Sequence, residues 1–288
     1  MTPCREKSNN LAVSHHHRID KVQDIDLAAF STRAPKGHSK EEGVERTKKL
    51  GEELGELQEL LFYAGRHSLL VVLQGMDTSG KDGTIRHLLN CTNVQSTRVA
   101  PFKVPTSREL AHDFLWRVHQ QTPGKGEVVV FNRSHYEDVL VVRVHELVPE
   151  KVWRARYDHI NAFERLLVDA DTIVVKFFLH ISKDEQQQRL IEREQEVEKA
   201  WKLSVGDWKE RELWDDYQKA CGDAIGKCTS AHAPWHVVPS DQKWYRNMVV
   251  TEALVEVLRG HKQGWMDSLE ELGQKAKTEL ATYRATQA

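Results

Sequence analysis

The stretch Gly75-Met76-Asp77-Thr78-Ser79-Gly80-Lys81-Asp82-Gly83-Thr84 satisfies the pattern G-x-x-x-x-G-K. A loop that grips a polyanion needs backbone N–H groups turned inward, which glycines permit, and a helix start that adds positive potential. Gly75, Ser79, Gly80 and Gly83 are therefore the expected phosphate cradle, with Lys81 reaching the phosphate that is transferred. Lys81 is expected to stand exposed when no phosphate is bound. Asp82 occupies the place where Ser or Thr ordinarily holds Mg²⁺, and a further acid, Asp77, lies inside the loop. Metal binding must then use other ligands, Asp77 first among them. The bland alternative is a tight glycine turn with a surface lysine, against which stand a strand-like run before the motif and a helical pattern after it.

A second constellation is Phe131-Asn132-Arg133-Ser134-His135-Tyr136-Glu137-Asp138. In phosphate-loop proteins the strand beside the loop strand ends in an acid that organises Mg²⁺, and ligands gather at the carboxyl ends of parallel strands. Asn132 holds that slot without a charge and is taken as a metal-site residue. Arg133 follows it, and its planar fork of donors suits phosphate oxygens. A surface ion pair is the competing reading for Arg133 taken alone. His135 and Tyr136 are read as capping or packing the next helix.

Both constellations need a scaffold. Ser68 to Gln74 is a short, nearly continuous apolar run of the kind that forms a buried parallel strand. Similar runs recur at Glu127 to Phe131, Thr172 to Ile181 and Trp235 to Pro239, with Thr97 to Phe102 a weaker fifth. Leucines at 50, 54, 57, 60 and 61 mark an amphipathic helix over about 40 to 64. Further helical stretches fall near 79–90, 107–121, 135–142, 150–168 and 241–258. This alternation predicts an α/β fold, a three-layer αβα sandwich around a parallel sheet with right-handed crossovers. The expected organisation is an N-terminal arm over 1–40, one domain over 41–262 and a C-terminal helix over 263–288. His15, His16 and His17 in the arm are read as solvated rather than chelating. Residues 183–219 break the rhythm: 19 of 37 are charged, with Trp201, Trp208, Trp214 and Tyr217 as aromatic anchors. On charge alone this is a solvated helical hairpin.

Lys plus Arg total 41 against 43 Asp plus Glu. The near balance argues against a nucleic-acid-coating surface. Four cysteines without a C-x-x-C pair suggest neither a disulfide framework nor a zinc site. The start of the chain lacks the apolar core of a signal peptide, and no apolar run could span a bilayer. A cytoplasmic protein without membrane or nucleic-acid partners is expected.

GMDTSGKDGTIRH, FNRSHYEDVLVVRVH, KAWKLS followed by WDDY, and APWHVVPSDQKWYRN together resemble the polyphosphate kinase 2 family. The resemblance runs from about Arg18 to Val257. It implies a thymidylate-kinase-like P-loop kinase fold with a helical lid, over about 183–225. It implies transfer of the terminal phosphoryl group between inorganic polyphosphate and nucleotides, with Mg²⁺. Carried onto this sequence, Asp77 and Lys81 become the essential acid and lysine and Arg133 the phosphate-binding arginine, all three catalytic. Arg189, Arg193 and Lys202 would reach phosphates from the lid.

Asn132-Arg133-Ser134 replaces the Asp-Arg-Ser of many diphosphate-specific members and is similar to class III, which accepts mono- and diphosphates. AMP, ADP and their guanine counterparts are the expected acceptors. A proline common in that class's lid is absent here, where Glu196-Val197-Glu198 precedes Lys199. The chain resembles a single-domain member, and its C-terminal helix is a candidate for self-association into a homo-oligomer. Two rivals remain open at this point: an ATP-dependent small-molecule or nucleotide kinase, and a non-catalytic polyphosphate-binding protein in which Asn132 marks a lost metal site.

Overall fold

In the computed structural model, which describes residues 17–195 and 205–287, the strands in chain order are β1 (His17–Ile19), β2 (Ser68–Gln74), β3 (Thr97–Pro101), β4 (Val128–Asn132), β5 (Thr172–His180) and β6 (Trp235–Pro239). The helices are α1 (Lys40–Ala64), α2 (Lys81–Cys91), α3 (Ser107–Leu110), α4 (Trp116–His119), α5 (Val141–Val144), α6 (Glu150–Asp169), α7 (Lys183–Gln195), α8 (Val205–Glu212), α9 (Trp214–Lys227), α10 (Lys243–Arg259) and α11 (Lys262–Gln287). The five strands read from the sequence are parallel, in the order β6-β5-β2-β4-β3.

All seven residues of β2 are buried because both faces of the sheet are covered. Successive side chains of a strand point to opposite faces. Leu70 and Val72 join Trp153, Ile160 and Phe163 of α6 in one core. Leu69, Val71 and Leu73 join Leu54, Leu57 and Leu61 of α1 and Val249 and Leu254 of α10 in the other. Complete burial of each such side chain contributes roughly 1.5–3 kcal/mol. Helix α1 starts at Ser39, whose side chain accepts from the Glu42 amide, and stops at Gly65 in the left-handed region.

Three departures from the sequence reading have physical causes. Part of the N-terminal arm, where the sequence reading placed no strand, joins the sheet: His17–Ile19 pairs antiparallel with β6, making the sheet six-stranded with one antiparallel edge. The helix expected over 107–121 is two four-residue turns, α3 and α4. Between them the Asp113 carboxylate accepts from the Leu115 amide, a local bond that competes with helix continuation. The helix expected over 135–142 is a 3₁₀ turn, His135–Asp138, followed by α5. The break lies at Val139 and Leu140, with φ −126° and −105°, outside the helical range, and the β-branched Val139 adds to the local disfavour of a helix. No described helix is long and apolar enough to cross a membrane. Cys91, Cys221 and Cys228 are free thiols.

From β2 the chain crosses towards β3, while from β5 it crosses towards β6, so the sheet order reverses direction between β2 and β5. A crevice at the carboxyl ends of such strands is where open α/β sheets take ligands. The phosphate-loop motif leaves β2 at that point.

Candidate functional site

Gly75 and Gly80 are the two hinges of the loop. Gly75 has φ 152°, and a Cβ on it would stand 2.7 Å from the Leu179 carbonyl of β5. Gly80 has φ 106°, in the left-handed region, and caps α2 without a side chain. The N-terminus of α2 is thus left without a side-chain acceptor, open to an anion. Thr78 Oγ1 and Ser79 Oγ are buried with no hydrogen-bond partner among the described residues. Hydroxyls and helix amides converging on one loop form a donor set suited to phosphate oxygens.

Lys81 does not stand exposed. Its Nζ is half-buried and donates to the carbonyls of Gly75 (2.7 Å) and Met76 (3.1 Å), folded back over the loop. Burial pushes its pKa down, against the pull of the Asp77 charge. These two carbonyls hold the ammonium inside the loop.

Arg133 stands immediately after β4 with φ 63°, a left-handed conformation uncommon for a residue bearing a Cβ. Its surroundings enforce it. The Arg133 amide donates to the Leu73 carbonyl of β2 at 3.1 Å, and the Gln74 side chain donates to Ser134 Oγ at 3.1 Å. The guanidinium donates to Asp77 Oδ1 at 3.2 Å and Glu137 Oε2 at 3.4 Å. Burial opposes its charge, but Glu137 and Asp77 together hold it above its ordinary value. Beneath the turn, His135 and Tyr136 are buried and meet Glu164 Oε1 of α6 at 3.1 and 2.7 Å. They anchor the turn that aims Arg133.

Two cavities share Arg133 and Glu137. The first, about 300 Å³, lies over the loop and is walled by Asp77, Asp207, Glu210 and Tyr217. The second, about 380 Å³, lies towards β3 and is walled by Phe102, Lys103, Arg117, Asp138 and Leu147. Asp138 pairs with Arg156 at 2.8 Å, yet burial outweighs this and pushes its carboxyl up to about 6.

Asp77, Lys81 and Arg133 are thus brought to one place. Asn132 is beside them: its amide donates to Asp82 Oδ1 at 3.1 Å. Gly83 lies in the first turn of α2. Arg189 meets the loop at its backbone, donating to the carbonyls of Thr78 (2.9 Å), Ser240 (2.8 Å) and Asp241 (2.7 Å) and pairing with Glu185 at 2.8 Å. It ties the loop to the segment that follows β6. Arg193 pairs with Asp207 at 3.2 Å, tying α7 to α8 over the first cavity. Lys202, like Lys199 and Trp201, lies outside the described residues. Glu137, Asp207 and Glu210 were not singled out from the sequence; only their position in FNRSHYEDVL and in the charged insertion could have drawn attention to them.

Asp77 and Asp82 with the Asn132 side chain offer oxygen donors, and no group of three or more His, Cys, Asp or Glu among the described residues forms a metal cage. That donor set fits Mg²⁺, which takes one or two carboxylates and completes its shell with phosphates and water.

Comparison with known proteins agrees with this architecture. The family model described as polyphosphate kinase 2 matches residues 37–264. An AMP/ADP-polyphosphate phosphotransferase of Meiothermus ruber is 56% identical over 221 residues, 77% of this chain and 83% of that protein. An ADP-polyphosphate phosphotransferase of Rhodopseudomonas palustris is 40% identical over 264 residues, 87% of this chain and 91% of that protein. The crystal structure of polyphosphate kinase 2 from Arthrobacter aurescens superposes with a TM-score of 0.79 at 39% identity, covering 84% of this chain and 92% of that one. A P-loop kinase fold, a donor-lined loop beside a fixed arginine, and relatives matched over most of their length lead to one conclusion: this chain belongs to the polyphosphate kinase 2 family.

Proposed function

We propose that this enzyme transfers the terminal phosphoryl group of inorganic polyphosphate to nucleoside mono- and diphosphates of adenine and guanine, in an Mg²⁺-dependent, in-line reaction. The observation that carries the reading is the shared wall. Arg133 and Glu137 border both cavities, so a donor over the loop and an acceptor towards β3 would meet at Arg133. The family name supports polyphosphate as donor, and the names of the relatives support AMP and ADP as acceptors.

In this reading the α2 amides and the Thr78 and Ser79 hydroxyls hold the donor's terminal phosphates. Lys81 leaves the Gly75 and Met76 carbonyls for the phosphate that moves. Arg133 exchanges its bond to Asp77 for oxygens on the transferring group, where charge spreads in a loose transition state. Asp77, released, and Asn132 and Asp82 beside it would hold Mg²⁺, which neutralises phosphate charge when bound. The nucleotide phosphate is already anionic, so no strong general base is required. The α7–α8 tie excludes water and protects the phosphoryl group from hydrolysis.

A neutral Asn132 adds no negative charge beside either substrate, which supports acceptors of two lengths and a class III-like enzyme. The test is AMP with long-chain polyphosphate and Mg²⁺ and no ATP supplied. ADP should rise first and ATP should follow. ATP formed from ADP with AMP untouched would refute the two-acceptor reading, and no product without added ATP would refute polyphosphate as donor.

A further inference from the structure

Arg246, in the first turn of α10, is buried, with 3% of its surface exposed. Its Nε and Nη2 donate to Asn247 Oδ1 at 3.2 and 2.9 Å. Among the described residues no carboxylate pairs with it, and the charged neighbour that acts on it is another cation, Arg189. Burial, with Arg189 adding to it, pushes the guanidinium down to about 10. A buried charge without an opposite partner is among the costliest groups a fold can carry.

The fold makes room for it at the phosphate loop. A Cβ on Gly80 would collide with Arg246 Nη1, and a Cβ on Gly83 would stand 3.1 Å from Nη2. The guanidinium therefore lies directly against the turn that opens α2, and it is not part of the wall of the cavity over the loop. Arg189 makes the contrast clear. It also braces the loop, yet it has Glu185 as its counter-charge and three carbonyls as acceptors. If packing were the only requirement at position 246, an uncharged side chain of similar length would meet it with no desolvation cost.

We propose that Arg246 is a positioning residue for the donor, a buried cation whose counter-charge is the phosphate chain seated in the loop. This rests on the reading that the loop takes polyphosphate. Arg246 does not line the cavity where the reacting atoms would sit; its charge acts across the turn it packs against, where low polarity keeps electrostatic attraction strong. The empty enzyme then carries an electrostatic penalty that donor binding relieves. Nucleotide affinity, set in the cavity beyond Arg133, does not depend on it.

The experiment uses the full chain as wild type, Arg246→Met, Arg246→Lys and Lys81→Ala, with sodium tripolyphosphate as the probe. Thermal melting is followed with and without tripolyphosphate, and KM is measured for polyphosphate and for ADP. Arg246→Met should melt at or above the wild-type temperature when ligand-free, because an unpaired buried charge has been removed. It should lose most of the tripolyphosphate-induced rise in melting temperature. Its KM for polyphosphate should increase about fivefold or more, with KM for ADP unchanged. Arg246→Lys, which keeps the charge, should recover at least half of both losses. A ligand-free Arg246→Met that melts lower or fails to fold, or one that keeps its tripolyphosphate shift and KM, overturns the proposal. Lys81→Ala separates the two readings: a tripolyphosphate shift absent from wild type, or undiminished in Lys81→Ala, means the loop is not the donor site.

Discussion

Lys176 of β5 places its Nζ 2.5 Å from Glu164 Oε2 of α6, with 0% and 4% of the two side chains exposed. Lys176 also donates to the Cys228 carbonyl at 2.7 Å, and the other Glu164 oxygen meets Tyr136 and His135. Burial acts to raise the Glu164 carboxyl, but Lys176 and His135 overcome it and hold it below its ordinary value. Removing one partner leaves the other charge buried without its opposite. Lys176→Met should cost about 3–5 kcal/mol in urea unfolding, and Lys176→Met with Glu164→Gln distinctly less than the two single losses added. Additive losses would show that the pair is not coupled.

Lys81→Ala should lower kcat by about a hundredfold to a thousandfold, the cost of one electrostatic contact made to transferring charge. Its urea midpoint should stay near that of wild type, since among the described residues Lys81 bonds two loop carbonyls, and burial works against its charge. Turnover within a factor of about three of wild type would sink the assignment of the loop.

Asp77→Asn should raise the Mg²⁺ concentration for half-maximal rate by about tenfold, because a hard cation loses a charged oxygen that Asn132 does not replace. The substitution also removes one of the two Arg133 counter-charges, at 3.2 Å, and leaves Glu137 as the other. Identical Mg²⁺ titrations for variant and wild type would leave Asp77 as a turn residue.

Asp138, pushed up to about 6 by burial, yields a pH dependence of definite sign. Unfolded, its carboxyl titrates near 4. Between these values the folded chain binds the proton more tightly than the unfolded one, so this group's contribution to stability falls as pH rises from about 4 to 6. Wild type minus Asp138→Asn, compared by urea midpoint at pH 4.5 and pH 7, should show that loss. A difference that stays constant or grows with pH would place the carboxyl at or below its ordinary value.

The parallel strands and the two chemical turns were legible because each depends on neighbours in sequence. Ser68–Gln74 is apolar at nearly every position, and the glycines that bend its exit follow at once. What pairs across space was not legible. Nothing in Lys176 or Glu164, each an ordinary charged residue in its own segment, announces burial against the other. Arg246 likewise sits in a helical pattern with no local sign that it would come to rest against Gly80. His17–Ile19 is too short for its alternation to register as a strand, and only the exposed edge of β6 gives it a place. The two short turns after β3 failed as a helix because periodicity alone does not weigh an Asp113 that bonds forward.

That short antiparallel strand has a consequence for self-association of the polypeptide. β6 is apolar and buried, and without His17–Ile19 its outer row of amides and carbonyls would be a template for another chain. At the opposite edge, β3 ends in Pro101 and carries Arg98, whose guanidinium reaches back to the Gln121 and Thr122 carbonyls. A proline and a charge are the means by which sheets refuse further strands. The N-terminal segment is in this sense a guard against aggregation, and cutting the chain just after Ile19 should yield a protein that clumps at concentrations the intact chain tolerates.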